Sequence, residues 1–429
     1  MARPCTPSDY DCPMDVVVIG GGVVGVSCAL QLAKRGASVT VLERDRVGHG
    51  CSFGNAGWLT PSQAVPLANP AMLFKSFKWM LDPESPLYIQ PRLEPEYLRW
   101  LIGFLLSSRK SKFEPGAMAL VELCRVSVDM WETLAQQAGA AGKDTFGFER
   151  HGLLAVYEKP DSFDAAQKSN ELIARAGVTV ERWSSDEVRD REPAIIGKQV
   201  GGYYFPEDAH CKPYLAVRAL ADEAVAAGVT FIEGAEVFKI SEPSSTAPRT
   251  LTTTKGEFKA EKILLAAGSW SEELGKMLDL RVPILGAKGY SLLLPKANPH
   301  PKSSIYLIER KVAVNPHKDA LRISGTLEIV KNDFSINQRR VNVILRGAKG
   351  MLNIGDEPVV HDLWRGLRPC TPDGMPLIGK AKGRGDVWLA TGHQMAGLKT
   401  APATGVLLAQ LMTGETPSFN PEPFRGDRF

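Results

Sequence analysis

The sequence lacks the clustered cysteines and histidines that hold metal ions in proteins. Its seven cysteines and seven histidines are scattered over 429 residues, and no C-x-x-C, H-x-x-x-H or H-E-x-x-H spacing occurs. We therefore expect neither a structural nor a catalytic metal ion. The odd, dispersed set of cysteines favours a reducing, cytoplasmic compartment.

Long apolar runs and an excess of one charge are also absent. The uncharged apolar stretch from Trp100 to Leu106 is far shorter than the roughly 20 residues that span a bilayer. Residues 1–13 contain no basic segment followed by an apolar one, so they predict a flexible leader rather than a secretory signal. The net charge of +3 argues against a nucleic-acid partner.

The composition that remains is that of a folded protein. Apolar residues make up 44% and charged residues 23%, which are ordinary values for a globular chain. The length predicts two or three domains of about 150 residues each, so the chain is long enough to enclose a site.

A βαβ pattern follows the leader. The apolar run from Asp15 to Ile19 predicts a buried parallel strand. Residues 23–35 predict a helix, which Gly36 ends, and residues 38–42 predict a second strand. The first strand and the helix meet in a glycine-rich turn.

This turn has the pattern G-x-G-x-x-G, which is typical of dinucleotide-binding folds. Gly20 permits a tight turn, Gly22 lets the backbone approach a pyrophosphate, and Gly25 lets the helix lie close to the sheet. Glu43 ends the second strand, where a carboxylate accepts hydrogen bonds from a ribose 2′-hydroxyl. We therefore predict a dinucleotide site that disfavours NADP.

The segment after Glu43 favours FAD over NAD as the dinucleotide. Residues 51–57, Cys-Ser-Phe-Gly-Asn-Ala-Gly, supply small and polar groups where an extended flavin dinucleotide would continue. An ordinary glycine- and asparagine-rich loop is the alternative interpretation. The chain contains one G-x-G-x-x-G, so we expect an organic substrate, rather than NADPH, to supply the hydride.

Several motifs, taken in order, resemble one protein family. They are the G-x-G-x-x-G turn, S-x-x-N-A-G at 52–57, L-L-A-A-G-S-W-S at 264–271, G-L-R-P-C-T-P-D-G at 366–374, G-H at 392–393 and A-P-A-T-G at 401–405. With them, the chain resembles the FAD-dependent D-amino acid oxidase superfamily from about residue 14 to residue 415. Within it, the chain is more similar to D-amino acid dehydrogenases than to glycine or sarcosine oxidases.

The resemblance implies an α/β fold with two domains. We expect a Rossmann-type FAD-binding domain made of residues 14–66, 207–283 and 360–429. An inserted α+β substrate domain with a mainly antiparallel sheet would comprise residues 67–206 and 284–359.

The resemblance also implies a reaction. The amino acid would give the hydrogen of its α-carbon, as hydride, to flavin N5, and the imine product would be hydrolysed to a 2-oxo acid and ammonia. The electrons would pass to a quinone or another carrier. Two alternatives stay open: an oxygen-using oxidase of glycine, sarcosine or D-proline type, and a non-catalytic or tRNA-modifying flavin protein.

Three residues are the predicted catalytic set. Arg368 occupies the family's carboxylate-binding position, and guanidinium binds carboxylate in a bidentate manner. Tyr290 and His393 match positions near the substrate, although a half-buried strand tyrosine and a satisfied core histidine are the alternatives. The predicted FAD contacts, some from the motif and some implied by the resemblance, are Gly20, Gly22, Gly25, Glu43, Arg44, Ser52, Asn55, Ala56, Gly57, Val237, Ala267, Gly268, Gly397, Leu398 and Lys399.

The chain departs from the family pattern at three places. Family members often have a tyrosine where this chain reads Glu309-Arg310-Lys311, which leaves the second carboxylate contact open. Met395 stands where glycine oxidases carry an arginine. Cys370 lies near, but not on, the flavin-linking position of sarcosine oxidases, so we expect non-covalent FAD.

One segment leaves the membrane question open. Leu98 to Leu106 is flanked by Arg99, Arg109, Lys110 and Lys112. It predicts either a cap helix packed on the substrate domain or a basic amphipathic helix on the inner face of the cytoplasmic membrane.

Overall fold

The computed structural model describes residues 14–68, 87–90, 92–244 and 247–429, and the predicted leader, residues 1–13, lies outside them. The described helices are α1 (Val23–Ala33), α2 (Pro95–Ser107), α3 (Lys110–Ala140), α4 (Pro160–Arg175), α5 (Ser185–Arg191), α6 (Pro213–Ala226), α7 (Ser271–Met277), α8 (Gln338–Lys349) and α9 (Gly397–Thr413). The described strands are β1 (Asp15–Ile19), β2 (Ser38–Glu43), β3 (Trp58–Leu59), β4 (Leu87–Ile89), β5 (Leu153–Tyr157), β6 (Glu181–Ser184), β7 (Gly201–Phe205), β8 (Ala209–His210), β9 (Thr230–Glu233), β10 (Val237–Ile240), β11 (Arg249–Thr253), β12 (Gly256–Ala260), β13 (Lys262–Leu265), β14 (Leu285–Pro295), β15 (Ser304–Leu307), β16 (Val312–Pro316), β17 (Ala320–Ile329), β18 (Asp362–Cys370), β19 (Leu377–Lys380) and β20 (Val387–Thr391).

A six-stranded sheet has the order β19-β20-β13-β1-β2-β9. Its strands pair in parallel except for the edge strand β19. The central β1 is an apolar run because helices cover a parallel sheet on its faces. Helix α1 follows β1 and packs against both α9 and α6. This arrangement confirms the predicted Rossmann-type fold.

Helix α9 begins four residues earlier than its sequence pattern predicts. The sequence pattern predicts a helix from about Ala401 to Met412, whereas the helix runs from Gly397 to Thr413. Pro402 has no N–H to donate to the carbonyl of Leu398, four residues before it. The indole N–H of Trp131 donates to that carbonyl instead, at 3.0 Å, so the interior proline leaves no buried acceptor unsatisfied.

A small antiparallel sheet, β10-β11-β12, is formed by the chain between β9 and β13, which are both strands of the six-stranded sheet. The apolar pattern of residues 257–265 predicts one strand, but the exposed Glu261 separates β12 from β13. The two halves of that segment therefore belong to different sheets, and only β13 pairs with β1.

The second large sheet has the order β18-β14-β17-β16-β15-β5-β7-β6, with β4 paired to β17. Its pairings are antiparallel apart from β15–β5 and β4–β17. This confirms the predicted, mainly antiparallel second sheet. The boundaries of the two domains within the chain stay a prediction.

Clusters of buried apolar side chains pack against both large sheets. Buried side chains of β14, β16 and β17 pack against α8, for example Leu292, Val314 and Ile344. Those of β1, β2 and α1 pack against α9, for example Val18, Val26 and Leu407. Among the helices that the structure describes, none is both long and apolar enough to cross a bilayer.

Candidate active site

One cavity of about 890 Å³ is lined by residues of both large sheets. Its lining begins at the turn after β1, continues through the loop after β2, and reaches the inner strands β14, β16, β17 and β18. All predicted site residues line it except Gly25 and Gly57.

The turn between β1 and α1 is built as a phosphate site. Gly20 has φ +113°, and a Cβ there would lie 2.7 Å from the carbonyl oxygen of Ala266. A Cβ on Gly25 would lie 2.0 Å from the carbonyl oxygen of Gly20, so this glycine allows helix and strand to touch. Gly22 precedes α1 with no side-chain cap, and a Cβ there would meet only Ser52 Oγ, at 3.6 Å. The N-terminus of α1 thus faces the cavity, and helix N-terminal N–H groups suit a diphosphate.

Two side chains brace this turn. Ser52 Oγ accepts a hydrogen bond from Val23 N–H at 3.1 Å. Glu43 accepts from Gly21 N–H at 2.7 Å and from Asp45 N–H at 2.9 Å. Burial raises the pKa of Glu43, while these N–H donors and Arg44 favour its charged form. The carboxylate ends β2 and lines the cavity, and its contact with a ribose stays a prediction.

The same end of the cavity includes Val237, Ala267 and Gly268. Here the guanidinium of Arg44 stacks on Trp270, 3.8 Å from the ring centroid. The sequence motifs include Trp270 without indicating this contact, because the stack depends on how β2 and the segment after β13 meet in space.

Side-chain amide groups hold the loop at residues 51–57 in place. Asn55 Oδ1 accepts from Gly57 N–H at 2.8 Å, and Asn315 Nδ2 donates to Ala56 O at 2.7 Å. Gly57 has φ +76°, and a Cβ there would lie 2.2 Å from Cys211 O. Ser52, Asn55 and Ala56 line the cavity. Gly57 does not line it, and its left-handed backbone conformation allows the loop to turn.

Lys399 lies in the first turn of α9 and is fully buried beside the cavity. Its ammonium donates to Thr60 Oγ1 at 2.9 Å and to Gln63 O at 3.3 Å, and burial lowers its pKa. Asp208 contacts Ser62 in the same turn, and burial raises its pKa to about 7. The buried side chains of Lys399 and Asp208 therefore both bind the turn at residues 60–63.

Arg368 lies in β18 and reaches across the neighbouring strand β14. A Cβ on Gly289 in β14 would lie 2.0 Å from Arg368 Nη1 and 2.4 Å from Cζ, so the guanidinium occupies the space that this glycine leaves. Nη1 donates to Thr326 O in β17 at 3.1 Å. Burial lowers the pKa of Arg368 from its usual value, yet such a group stays protonated in proteins. The arrangement presents a fixed cation to the cavity.

The other two predicted catalytic residues each have a side-chain polar atom that is hydrogen-bonded within the protein. Tyr290 OH accepts from Asn337 N–H at 3.0 Å, and burial raises its pKa. His393 Nε2 lies 3.2 Å from Thr404 Oγ1, and burial lowers its pKa to about 3. Both residues line the cavity as neutral groups, and their catalytic roles stay predictions.

The departures from the family pattern also have definite positions. Arg310 is paired with Glu158 at 2.7 Å, whereas Lys311 lines the cavity with its ammonium 5.7 Å from the ring centroid of Tyr306. Met395 lines the cavity and is half exposed. Cys370 is buried behind Trp100, whose indole N–H donates to its carbonyl at 3.0 Å, and non-covalent FAD stays a prediction.

Sequence reasoning missed Gly289, Thr326 and Trp364. Trp364 lines the cavity and packs against Gly54 and Gly366, where added Cβ atoms would lie 2.5 Å and 2.1 Å from its ring atoms. Isolated glycines inside strand patterns are the signal that could have indicated close approaches here. Within the described part of the chain, no group of His, Cys, Asp and Glu side chains is arranged to hold a metal ion.

Comparisons with known proteins show which family the chain resembles. Residues 15–411 match the model of the DAO family of FAD-dependent oxidoreductases. The D-amino acid dehydrogenase of Vibrio atlanticus is 32% identical over 407 residues, covering 94% of this chain and 96% of that protein. The enzyme of the same name from Chromohalobacter salexigens is 31% identical over 415 residues, covering 95% and 98%.

Among solved structures, glycine oxidase from Geobacillus kaustophilus superposes with a TM-score of 0.78 at 24% identity, covering 97% of this chain and 98% of that one. At this identity the likeness concerns the fold. The α1 N-terminus, the space beside Gly22 and the Glu43 carboxylate fit an FAD diphosphate and ribose. The chain therefore belongs to the DAO family of FAD-dependent oxidoreductases.

Proposed function

We propose that this protein oxidises D-amino acids to 2-oxo acids and ammonia. The observation that carries the proposal is the Arg368 guanidinium, fixed over Gly289 in the same cavity as the dinucleotide turn. A single buried cation suits the carboxylate of a small zwitterion. The curated relatives named D-amino acid dehydrogenase, which match nearly the whole chain, support the choice of the D enantiomer.

The residues of the site have distinct tasks in this proposal. Bound FAD supplies a two-electron acceptor for the hydride of the substrate's α-carbon. Arg368 binds and orients the carboxylate, and the apolar walls, with Trp364 and Trp100 among them, exclude water. The N-terminus of α9 lines the cavity with Gly397 and Leu398, where the positive potential of a helix N-terminus would stabilise negative charge. The imine product is hydrolysed by water.

The experiment that tests this function is anaerobic mixing of the flavin-loaded protein with a panel of amines. D- and L-amino acids, glycine, sarcosine and D-proline are each added, and loss of the visible flavin band is recorded. We expect D-amino acids to bleach the band. Bleaching by glycine or sarcosine alone would favour the oxidase alternative, and no bleaching by any amine would favour a non-catalytic flavin protein.

We also propose that the electrons leave to a quinone at a membrane surface. Helix α2 separates the cavity from solvent: Leu101 and Phe104 line the cavity. On the outer side Leu98, Ile102 and Leu106 are 42%, 57% and 47% exposed. An exposed apolar stripe on a helix whose other face lines the site supports a contact with lipid at this position.

Basic residues follow this helix. Arg109, Lys110 and Lys112 are exposed, and such side chains near an apolar stripe are attracted to anionic lipid headgroups. Co-sedimentation with phosphatidylglycerol vesicles tests the contact. We expect Ile102→Ser to reduce binding, whereas Val225→Ser, which alters an equally exposed valine on α6, should leave it unchanged.

The electron acceptor is tested separately from the membrane contact. The substrate-reduced protein is mixed with either a short-chain ubiquinone or oxygen, and the return of the flavin band is timed. Faster reoxidation by the quinone is the expected result, and faster reoxidation by oxygen would make the protein an oxidase.

A further inference from the structure

One cation of the cavity lining has no carboxylate partner among the described residues. Lys311 ends the turn that joins β15 to β16, is partly exposed and lines the cavity. The charged residues before it in the turn are engaged elsewhere: Glu309 accepts from Glu158 N–H at 3.0 Å, and Arg310 pairs with the Glu158 carboxylate at 2.7 Å. The contact of the Lys311 ammonium is the ring of Tyr306, 5.7 Å away at its centroid. Its positive charge is therefore available to an anionic group of a ligand.

The sheet places Lys311 two strands away from the guanidinium of Arg368, with β17 between them. An added Cβ on Gly325 in β17 would lie 3.1 Å from Lys311 O. The next residue, Thr326, accepts from Arg368 Nη1 through its carbonyl. Neighbouring strands are about 4.8 Å apart. The guanidinium, which crosses β14 at Gly289, and the start of β16 are therefore roughly 10 Å apart.

The two cations belong to one wall of the cavity. Tyr306 in β15 pairs directly with Ala313 in β16, and both line the cavity. Lys311 lies two residues before Ala313, and side chains two residues apart on a strand point to the same face. Burial lowers the pKa of Arg368, and the Tyr306 phenol is among the nearby groups that oppose this change. Tyr306 thus lies near both cations.

The carboxylates of the described lining residues lie at the dinucleotide end. They are Glu43 and Asp45 at the end of β2, Glu236 before β10, and Glu273 in α7. Of the other lining cations, Arg44 belongs to that same end, and the Lys399 ammonium is bound by oxygens of the turn at residues 60–63. Arg368 and Lys311 are therefore two positive charges at the substrate end. A substrate with one carboxylate would leave one of them without a partner, whereas a substrate with two carboxylates would satisfy both.

The spacing of the two cations suits a five-carbon diacid. Four carbon–carbon bonds of about 1.5 Å place the two carboxyl carbons of an extended glutamate roughly 5 Å apart. A charge-assisted hydrogen bond of about 2.8 Å from a carboxylate oxygen at each end extends this span to about 10–12 Å. The flexible four-carbon stem of lysine takes up the remaining difference.

We propose that Lys311 binds a carboxylate at the end of the substrate's side chain, so that this protein prefers acidic D-amino acids such as D-glutamate. The proposal rests on the function proposed above. Arg368 binds the α-carboxylate, and the methylene groups of the side chain lie against Tyr306 and Ala313. The chemistry at the α-carbon is that of any other D-amino acid, and Lys311 determines specificity alone.

A comparison of D-glutamate with D-glutamine tests the preference, because the two have the same size and differ in one carboxylate. Anaerobic reduction of the flavin-loaded protein is measured over a range of concentrations of each. We expect a KM for D-glutamate about five- to tenfold below that for D-glutamine, as for a partly exposed ion pair with a hydrogen bond to a charged group. Lys311→Met, which keeps the apolar stem, should abolish this difference, and Lys311→Arg should retain it. The maximal rate of reduction should change less than twofold in either variant.

Equilibrium binding gives the same comparison without turnover. Glutarate and its monoamide differ in the same way as the two amino acids, and perturbation of the spectrum of the oxidised flavin gives the Kd of each. Lys311→Met should weaken glutarate about five- to tenfold and change the monoamide less than twofold. Lys318→Met is the matched control, because Lys318 is exposed in the next turn of the same sheet and does not line the cavity. This variant should leave both Kd values unchanged.

Three results would overturn the proposal. They are equal wild-type KM values for D-glutamate and D-glutamine, an equal shift of glutarate in Lys311→Met and Lys318→Met, and a loss of FAD affinity in Lys311→Met with an unchanged preference, which would mean that the ammonium binds the cofactor. Failure of the proposed function would be recognised differently, as a wild-type flavin that no D-amino acid bleaches.

Discussion

The replacement of Gly289 by alanine tests how the carboxylate cation is positioned. The added Cβ would lie 2.0 Å from Arg368 Nη1, 2.3 Å from Nη2 and 2.4 Å from Cζ, well inside contact distance. Because these atoms belong to the end of a flexible side chain, the guanidinium would be displaced and the backbone of the sheet would keep its position. Arg368 would then lose its hydrogen bond to Thr326 O and its alignment with the substrate.

The size of the effect follows from the hydrogen bonds that a displaced guanidinium can no longer donate. A hydrogen bond to a charged group contributes about 1.5–3 kcal/mol, and every 1.4 kcal/mol corresponds to a factor of about ten in Kd. We expect Gly289→Ala to weaken benzoate binding about ten- to hundredfold, measured by flavin spectral titration. The Kd of FAD should change less than twofold, because Gly289 lies at the substrate end.

Gly385→Ala is the matched control. Gly385 is exposed, and its added Cβ would come no closer than 3.9 Å to the side chain of Lys380. The Kd of the Gly385→Ala variant for benzoate should equal that of the wild-type protein. Wild-type benzoate affinity in Gly289→Ala would refute the assignment of Arg368 as the carboxylate clamp held over this glycine.

Three further predictions concern the clamp, the cofactor and acid stability. Arg368→Ala should raise KM for the amino acid at least tenfold and keep bound FAD, and loss of FAD instead would contradict the clamp role. Gly22→Ala should fold but bind FAD at least tenfold more weakly by fluorescence titration, because its Cβ meets only a serine hydroxyl at 3.6 Å; Gly25→Ala should fail to fold, since its Cβ would lie 2.0 Å from a backbone oxygen. Burial lowers the pKa of His317 and His393 from 6.5 to about 3, so the unfolded chain binds protons that the folded chain does not. The free energy of unfolding should fall on acidification from pH 6.5 towards 3, by up to about 1.4 kcal/mol per pH unit for each histidine. Urea titrations at several pH values should show that the free energy of unfolding falls less steeply with acidification in His317→Gln than in the wild-type protein. The same dependence on pH in both proteins would contradict the burial argument.

The dinucleotide end could be predicted from the sequence because its determinants are local. The turn at Gly20, Gly22 and Gly25 follows an apolar strand directly, and Glu43 ends the next strand. Short-range geometry fixes all four positions, so reading along the chain is enough to bring them together.

The substrate end depends on register between strands that are distant in sequence. Arg368, Gly289 and Thr326 meet only because β18, β14 and β17 lie side by side with a bulge in β17. The resemblance to the family indicated Arg368, but nothing in the sequence alone indicates which glycine it crosses or which carbonyl holds it. The first turn of α9 is a second example of a contact between distant residues, because the N–H group that binds the Leu398 carbonyl belongs to Trp131 in α3.

The central proposal, oxidation of D-amino acids at the Arg368 site, is tested most directly by one anaerobic measurement. Flavin-loaded protein is mixed with D-alanine or L-alanine at equal concentration, and the visible flavin band is followed. The account predicts that D-alanine bleaches the band in the wild-type protein, that L-alanine leaves it intact, and that Arg368→Ala needs at least tenfold more D-alanine for the same rate. Bleaching by L-alanine alone would contradict it.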